Sequence, residues 1–230
     1  MPFLRQKLAI LFTGRATKRD QLVLFVVTLA IFLFGVIIAQ FFYPGGYSIL
    51  RNYVSDQGWQ ATNPETYWVF DTAVIVTGLL LIPLFLWLHK RLVPTTVLLS
   101  RIATFFSLVG CLGFSLVGGF RKDFEVPHDT VTVVAFGGLG LAAFFMLFVL
   151  LRKMMLREIW PNKVGYVIFF GQLMVVAVLS LVFALAKTTL ARAGVDPVWL
   201  AWPPWEWLLL ISMTIWMGGL LVMAPDLPDA

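Results

Sequence analysis

The sequence predicts an all-α polytopic membrane protein, a six-transmembrane-helix bundle with a short interfacial helix in its first outer loop. Three observations carry this expectation. Hydrophobic residues make up 60% of the chain and charged residues 13%, and mean hydropathy is +0.90; a soluble globule covers its surface with far more charge. The apolar residues gather into six blocks, at about 21–43, 67–88, 99–119, 130–151, 164–186 and 205–224. Each block approaches the roughly 20 helical residues that cross a hydrocarbon layer about 30 Å thick. The basic residues, finally, divide unequally between the connections. One membrane domain, residues 1–230, is expected.

The elements follow in order. The first block is longer than the apolar core of a cleaved signal, and no small-x-small site follows it, so it reads as a retained helix. After it, Tyr43-Pro44-Gly45-Gly46 makes a turn. Ile49, Leu50, Tyr53 and Val54 then recur at helical spacing among polar residues, which suggests a short helix lying in the outer interface and ended by Gly58. Asn63 reads as the N-cap of the second span, with Pro64 at its first position, and Asn162 as the cap of the fifth. Pro83 is a candidate kink in the second span. Pro203 and Pro204 precede the sixth, where proline is tolerated.

Glycines crowd the third and fourth spans: Gly110, Gly113, Gly118, Gly119, Gly137, Gly138 and Gly140. They read as tight helix packing, or alternatively as a flexible seam that admits lipid. Trp59, Trp68, Trp199, Trp202, Trp205 and Trp207 fall near one boundary, and Trp87 and Trp160 near the other, as indole rings do at the headgroup level.

Cationic asymmetry sets the orientation. The amino-terminal segment and the second and fourth connections hold 12 of the 17 Lys and Arg, among them Arg5, Lys7, Lys90, Arg101 and Arg157. The opposite side holds five: Arg51, Arg121, Lys122, Lys187 and Arg192. Both termini are therefore expected in the cytoplasm of a cell-membrane protein. The net charge of +5 serves this topology and forms no nucleic-acid face. The single cysteine, Cys111, lies inside an apolar block and excludes an internal disulfide or a Cys-based metal motif. No phosphate loop, dinucleotide fingerprint or His-Glu-x-x-His occurs, so no cofactor and no metal is expected.

Ser55, Asp56, Asp71, His128, Asp129 and Glu206 come from three separate hairpins, yet all belong at or just below the outer boundary. Asp71 lies about two turns past Pro64, and an ionisable group at that depth is a functional candidate. Capping and the helix dipole offer another account of Asp71, Asp129 and Glu206, which sit in the first turns of their helices, and His128 can serve as a hydrogen-bonding residue at a helix start. Asp56, Asp71, His128, Asp129, Glu206 and Arg51 are the candidate ligand-binding residues. His128, Asp56 and Ser55 are the candidates should the site be catalytic.

The stretch Asn52-Tyr53-Val54-Ser55-Asp56-Gln57-Gly58, followed by Asn63-Pro64-Glu65, resembles the first luminal loop of the Frag1/DRAM/Sfk1 superfamily, closest to its prokaryotic DUF998-type members. The Pro127-His128 pair opening the fourth helix and the Glu206-Trp207 pair opening the sixth are similar too; Gln57 stands where relatives carry Thr or Leu. The resemblance covers most of the chain and implies lipid handling, with Ser55, Asp56, His128 and Glu206 as the matching residues and no agreed mechanism.

The expected function is accordingly a lipid-handling or lipid-organising role without catalysis, with membrane lipids as partners and other membrane proteins as further candidates. An intramembrane lipid hydrolase or acyl transferase using His128 with nearby carboxylates is one alternative, and an accessory subunit of a membrane complex is another. Transport is less well served, because the spans hold few polar residues at mid-depth.

Overall fold

A computed structural model describes residues 9–155, 163–194 and 203–224. Among them there are helices and no strands. The long helices are α1 (Lys18–Phe41), α2 (Tyr67–Leu92), α3 (Val97–Gly119), α4 (Glu125–Met155), α5 (Lys163–Arg192) and α6 (Pro204–Met223), with a 3-10 helix at Val54–Gly58. Five of them, α1 to α4 and α6, are long and apolar enough to cross a membrane. Arg5, Lys7, Arg157, Trp160, Asn162, Trp199 and Trp202 lie outside the described residues.

Local chemistry sets the helix starts. Thr17 caps α1: its hydroxyl accepts from the Asp20 N–H at 3.1 Å, while Asp20 accepts from the Thr17 N–H at 3.3 Å, a reciprocal box that satisfies two otherwise orphaned donors. Asn63 does not cap α2. The helix begins four residues later, after Thr66, and Asn63 is fully buried. Its amide donates to the Gln57 carbonyl at 2.9 Å and accepts from the Thr66 hydroxyl at 2.8 Å, tying the loop to itself. Pro83 lies within α2, which runs on to Leu92. α4 starts at Glu125, before the Pro127-His128 pair, so both residues sit in its opening turns.

α1 packs on α2, α2 on α3, α3 on α4, α4 on α5 and α5 on α6, while α1 and α6 meet only sparingly. The α3–α4 interface is the closest, and glycine makes it so. A Cβ on Gly110 would stand 2.7 Å from the Leu139 backbone N, and one on Gly138 2.7 Å from the Gly110 N. Gly110, Gly113 and Gly138 thus serve close backbone approach, whereas Gly119 faces open space. A large core cluster around Phe85, Trp87, Leu139, Met146 and Trp216 fills the bundle. A smaller one around Val54, Phe70, Val74 and Phe114 lies under the loop of residues 42–66.

Trp87, expected near one boundary, is enclosed by the protein. It is fully buried, donates its indole N–H to the Ala16 carbonyl at 2.9 Å and carries the Arg91 guanidinium 3.6 Å over its ring. The segment before α1 folds back against α2 and supplies the acceptor that a buried indole requires.

Candidate functional site

The loop between α1 and α2, the loop between α3 and α4, and the start of α6 share one end of the bundle. Where the sequence suggests an interfacial helix, the chain makes turns over residues 49–52 and then the 3-10 helix Val54–Gly58. That helix is pressed into the bundle: Val54, Asp56, Gln57 and Gly58 are all buried.

Asp56 organises this loop. One carboxylate oxygen accepts from the Tyr53 N–H at 2.8 Å, and the other pairs with the Lys122 ammonium. Lys122 also stands over the Tyr53 and Trp59 rings, at 5.0 and 5.1 Å. Beside it Asp123 accepts from the Gln60 N–H at 3.4 Å. Both carboxylate oxygens of Asp56 are therefore committed, one within its own loop and the other to Lys122 of the α3–α4 loop.

Asp71 occupies a different niche. A Cβ on Gly58 would lie 2.3 Å from its Oδ1, and a Cβ on Gly118 would lie 2.4 Å from its backbone carbonyl. Asp71 is thus wedged between the 3-10 helix and α3. Its Oδ2 is buried without a hydrogen-bond partner among the described residues, and Arg121 and Asp123 are the charged groups acting on it. Arg121 lies 5.0 Å over the Tyr67 ring, above this niche.

Ser55, His128 and Glu206 come together. They line one cavity with Thr132 at its polar end, over walls that include Phe32, Phe70, Val74, Phe114 and Leu210. The cavity is small, about 40 Å³, and partly open to the surroundings. The Glu206 carboxylate accepts from the Ser55 N–H at 3.3 Å, linking the first loop to α6. His128 is 5% exposed and its Nδ1 lies 2.8 Å from the Phe120 carbonyl. A carbonyl only accepts, so Nδ1 carries a proton and donates it there.

Tyr47 closes the top. Its hydroxyl accepts from the Trp207 indole N–H at 3.1 Å and lies 3.0 Å from the Tyr53 carbonyl. Burial, opposed in part by that indole bond and reinforced by the Glu206 charge, pushes its phenol well above the ordinary tyrosine range. The Tyr47 hydroxyl therefore remains a neutral donor at physiological pH.

Of the residues read from the sequence, the structure gathers Ser55, His128 and Glu206 around the cavity and places Asp56 just above it as a loop clamp. Asp71 faces away, Asp129 is half-buried outside the cavity lining, and Arg51 is exposed. Sequence reasoning missed Thr132, Lys122, Tyr47 and Gln57. Thr132 carried a usable signal: four residues after His128, it shares that residue's helix face. Its buried hydroxyl has no partner among the described residues. Gln57 is fully buried beside the Tyr47 hydroxyl, but its amide atoms make no well-aligned hydrogen bond.

Together the fold and this end of the bundle define a helical membrane protein with a buried polar cluster set over an apolar cavity. The model of the DUF998 family, described as a protein of unknown function, matches residues 26–223, and the chain belongs to that family. The match runs from within α1 to the end of α6 and includes every residue of the cluster. Neither a curated protein nor a solved structure matches the chain.

Proposed function

We propose that this protein is a six-span membrane protein with both termini in the cytoplasm. In this reading it binds a lipid of the outer leaflet and takes part in lipid handling or membrane-lipid organisation without catalysis. The observation that carries the reading is the cavity itself: Ser55, His128, Thr132 and Glu206 at one end, apolar walls at the other. That is the polarity profile of an amphiphile whose head sits at the boundary and whose tail points inward. Basic residues concentrated at the far end support an outward-facing site. The resemblance of residues 52–58 to the Frag1/DRAM/Sfk1 luminal loop supports a lipid role.

The acid–base geometry supports binding over catalysis. An imidazole that activates a serine is commonly oriented by a carboxylate, whereas Nδ1 of His128 is held by the Phe120 carbonyl.

Native mass spectrometry of the purified protein tests the reading. His128→Ala and Glu206→Ala should each lower the lipid retained per protein about tenfold, the loss expected when a buried charge-assisted hydrogen bond is removed. Arg51→Ala, exposed and outside the cavity lining, should retain the wild-type amount. Equal retention in all three variants defeats the proposal.

A further inference from the structure

The end of the bundle opposite the cavity carries the positive charge. Arg15, Lys18, Arg19, Lys90, Arg91 and Arg101 gather there. Against them stands one carboxylate among the described residues, Asp20, which the Thr17 hydroxyl and N–H hold at 2.7 and 3.3 Å. The ion pairs among the described residues, Arg121–Asp123 and Lys122–Asp56, both lie at the cavity end. Cations gathered at a membrane boundary without carboxylates are answered by anionic headgroups.

Charge alone would serve topology; the way the chain crosses α2 turns it into a site. Residues 9–12 form a helical turn that ends where the Thr13 hydroxyl donates to the Ala9 carbonyl at 2.8 Å. Gly14 then turns the chain at φ +67°, a conformation that suits glycine. It passes so close to α2 that a Cβ there would stand 2.6 Å from the Leu86 carbonyl oxygen. The same Cβ would stand 3.3 Å from Lys90 Cδ, so the Lys90 stem lies along the turn, next to Arg15. Two residues on, the Ala16 carbonyl accepts from the Trp87 indole at 2.9 Å and from the Arg91 guanidinium at 3.5 Å. The crossing is pinned at both places.

The cations around it divide by role. Lys18 donates to the Val222 and Ala224 carbonyls, at 2.6 and 3.0 Å, and Arg91 lies over the Trp87 ring. Arg15 is exposed and Lys90 half-buried, and neither has a carboxylate partner among the described residues. In the turn before them Leu11 packs on the core, while Ile10 and Phe12 are 38% and 48% exposed. Exposed apolar side chains beside cations are the two halves of a segment lying in the plane of the headgroups.

We propose that this crossing binds an anionic phospholipid, its phosphate between Arg15 and Lys90 and its acyl chains against Ile10 and Phe12. A zwitterionic head carries its own cation beside the phosphate and gains less from these two. The site is separate from the cavity and depends neither on what the cavity holds nor on which side of the membrane this end faces.

Photoaffinity labelling of the full-length protein in phosphatidylcholine vesicles tests it. Trace phosphatidylglycerol and phosphatidylcholine probes each carry a diazirine at the top of one acyl chain, and the labelled peptides are mapped. The phosphatidylglycerol probe should label residues 9–16 and 86–93 about tenfold more than the phosphatidylcholine probe does. Arg15→Gln and Lys90→Gln should each lower that labelling about fivefold, the worth of one cation at an anionic surface. Arg152→Gln, on α4 and separated from α2 by α3, should leave it unchanged. Gly14→Ala keeps every charge but displaces the crossing, so it should lower the labelling as the charge variants do; if it fails to fold, the Arg15 and Lys90 variants decide. Equal labelling by the two probes overturns the anionic class. An equal fall in Arg152→Gln reduces the site to diffuse surface charge and overturns it as well. Displacement of the phosphatidylglycerol probe by excess soluble glycerol phosphate overturns the lipid in favour of a free phosphate ester.

Discussion

Gly58→Ala is the sharpest test of how the site is built. The added methyl would stand 2.3 Å from Asp71 Oδ1 and 3.0 Å from a Phe70 ring carbon, each inside van der Waals contact. The α2 backbone cannot retreat, because Gly118 already lets α3 approach the Asp71 carbonyl to the point where a Cβ there would be 2.4 Å away. The loop is held as well, by Asn63 on the Gln57 carbonyl, Thr62 on the Asp56 carbonyl and Lys122 on the Asp56 carboxylate. Overpacking a site without slack costs about 1–3 kcal/mol, and this one should fall in the upper half of that range. Thermal unfolding in detergent, followed by tryptophan fluorescence, reads the loss. A double-mutant cycle with Asp71→Ala isolates the clash: shortening Asp71 should recover about 1 kcal/mol or more of it. Additive losses in the cycle, or an unchanged melting temperature in Gly58→Ala alone, would refute the wedge described for Asp71.

Three further outcomes follow from the same geometry. Lys122→Gln strips the Asp56 carboxylate of its counter-charge in a half-buried setting and should destabilise by about 2 kcal/mol, with faster proteolysis in residues 42–66; an unchanged cleavage rate contradicts the clamp. Tyr47→Phe leaves the Trp207 indole N–H without its acceptor and should cost about 1–2 kcal/mol at neutral pH. Because the Tyr47 phenol is raised in the folded state, its contribution is complete below the ordinary tyrosine value of about 10 and falls as pH rises through and beyond it. The wild-type minus Tyr47→Phe difference in stability should therefore shrink above pH 10 or so, and a flat difference across that range excludes the burial argument. Thr77→Val removes a buried hydroxyl that has no partner among the described residues, so stability should hold or rise by up to about 1 kcal/mol. A clear loss would reveal a hydrogen bond at that position.

The sequence by itself determined the class of protein and which residues share an end of the bundle. Hydropathy is a sum along the chain, and a run of apolar residues long enough to cross a bilayer forces a helix whatever its neighbours do, because lipid offers no partner to an unpaired backbone group. The same sum brought Ser55, Asp56, His128 and Glu206 to one level from distant segments. What it left undecided is rotation and pairing. Phe70, Asp71 and Val74 lie on one helical turn, yet Phe70 and Val74 line the cavity while Asp71 turns to Gly58, since each residue advances the helix by about 100°. Which arc faces inward depended on the glycine contacts of α3 and the loop.

Asp56 shows the other limit. A carboxylate in a polar loop reads alike whether it awaits a ligand or holds a lysine, and only the fold brought Lys122, 66 residues away, onto it. The cavity and the sparing α1–α6 contact were likewise settled by tertiary structure. A void is a property of how six helices fail to fill space together, and no single helix sequence encodes it.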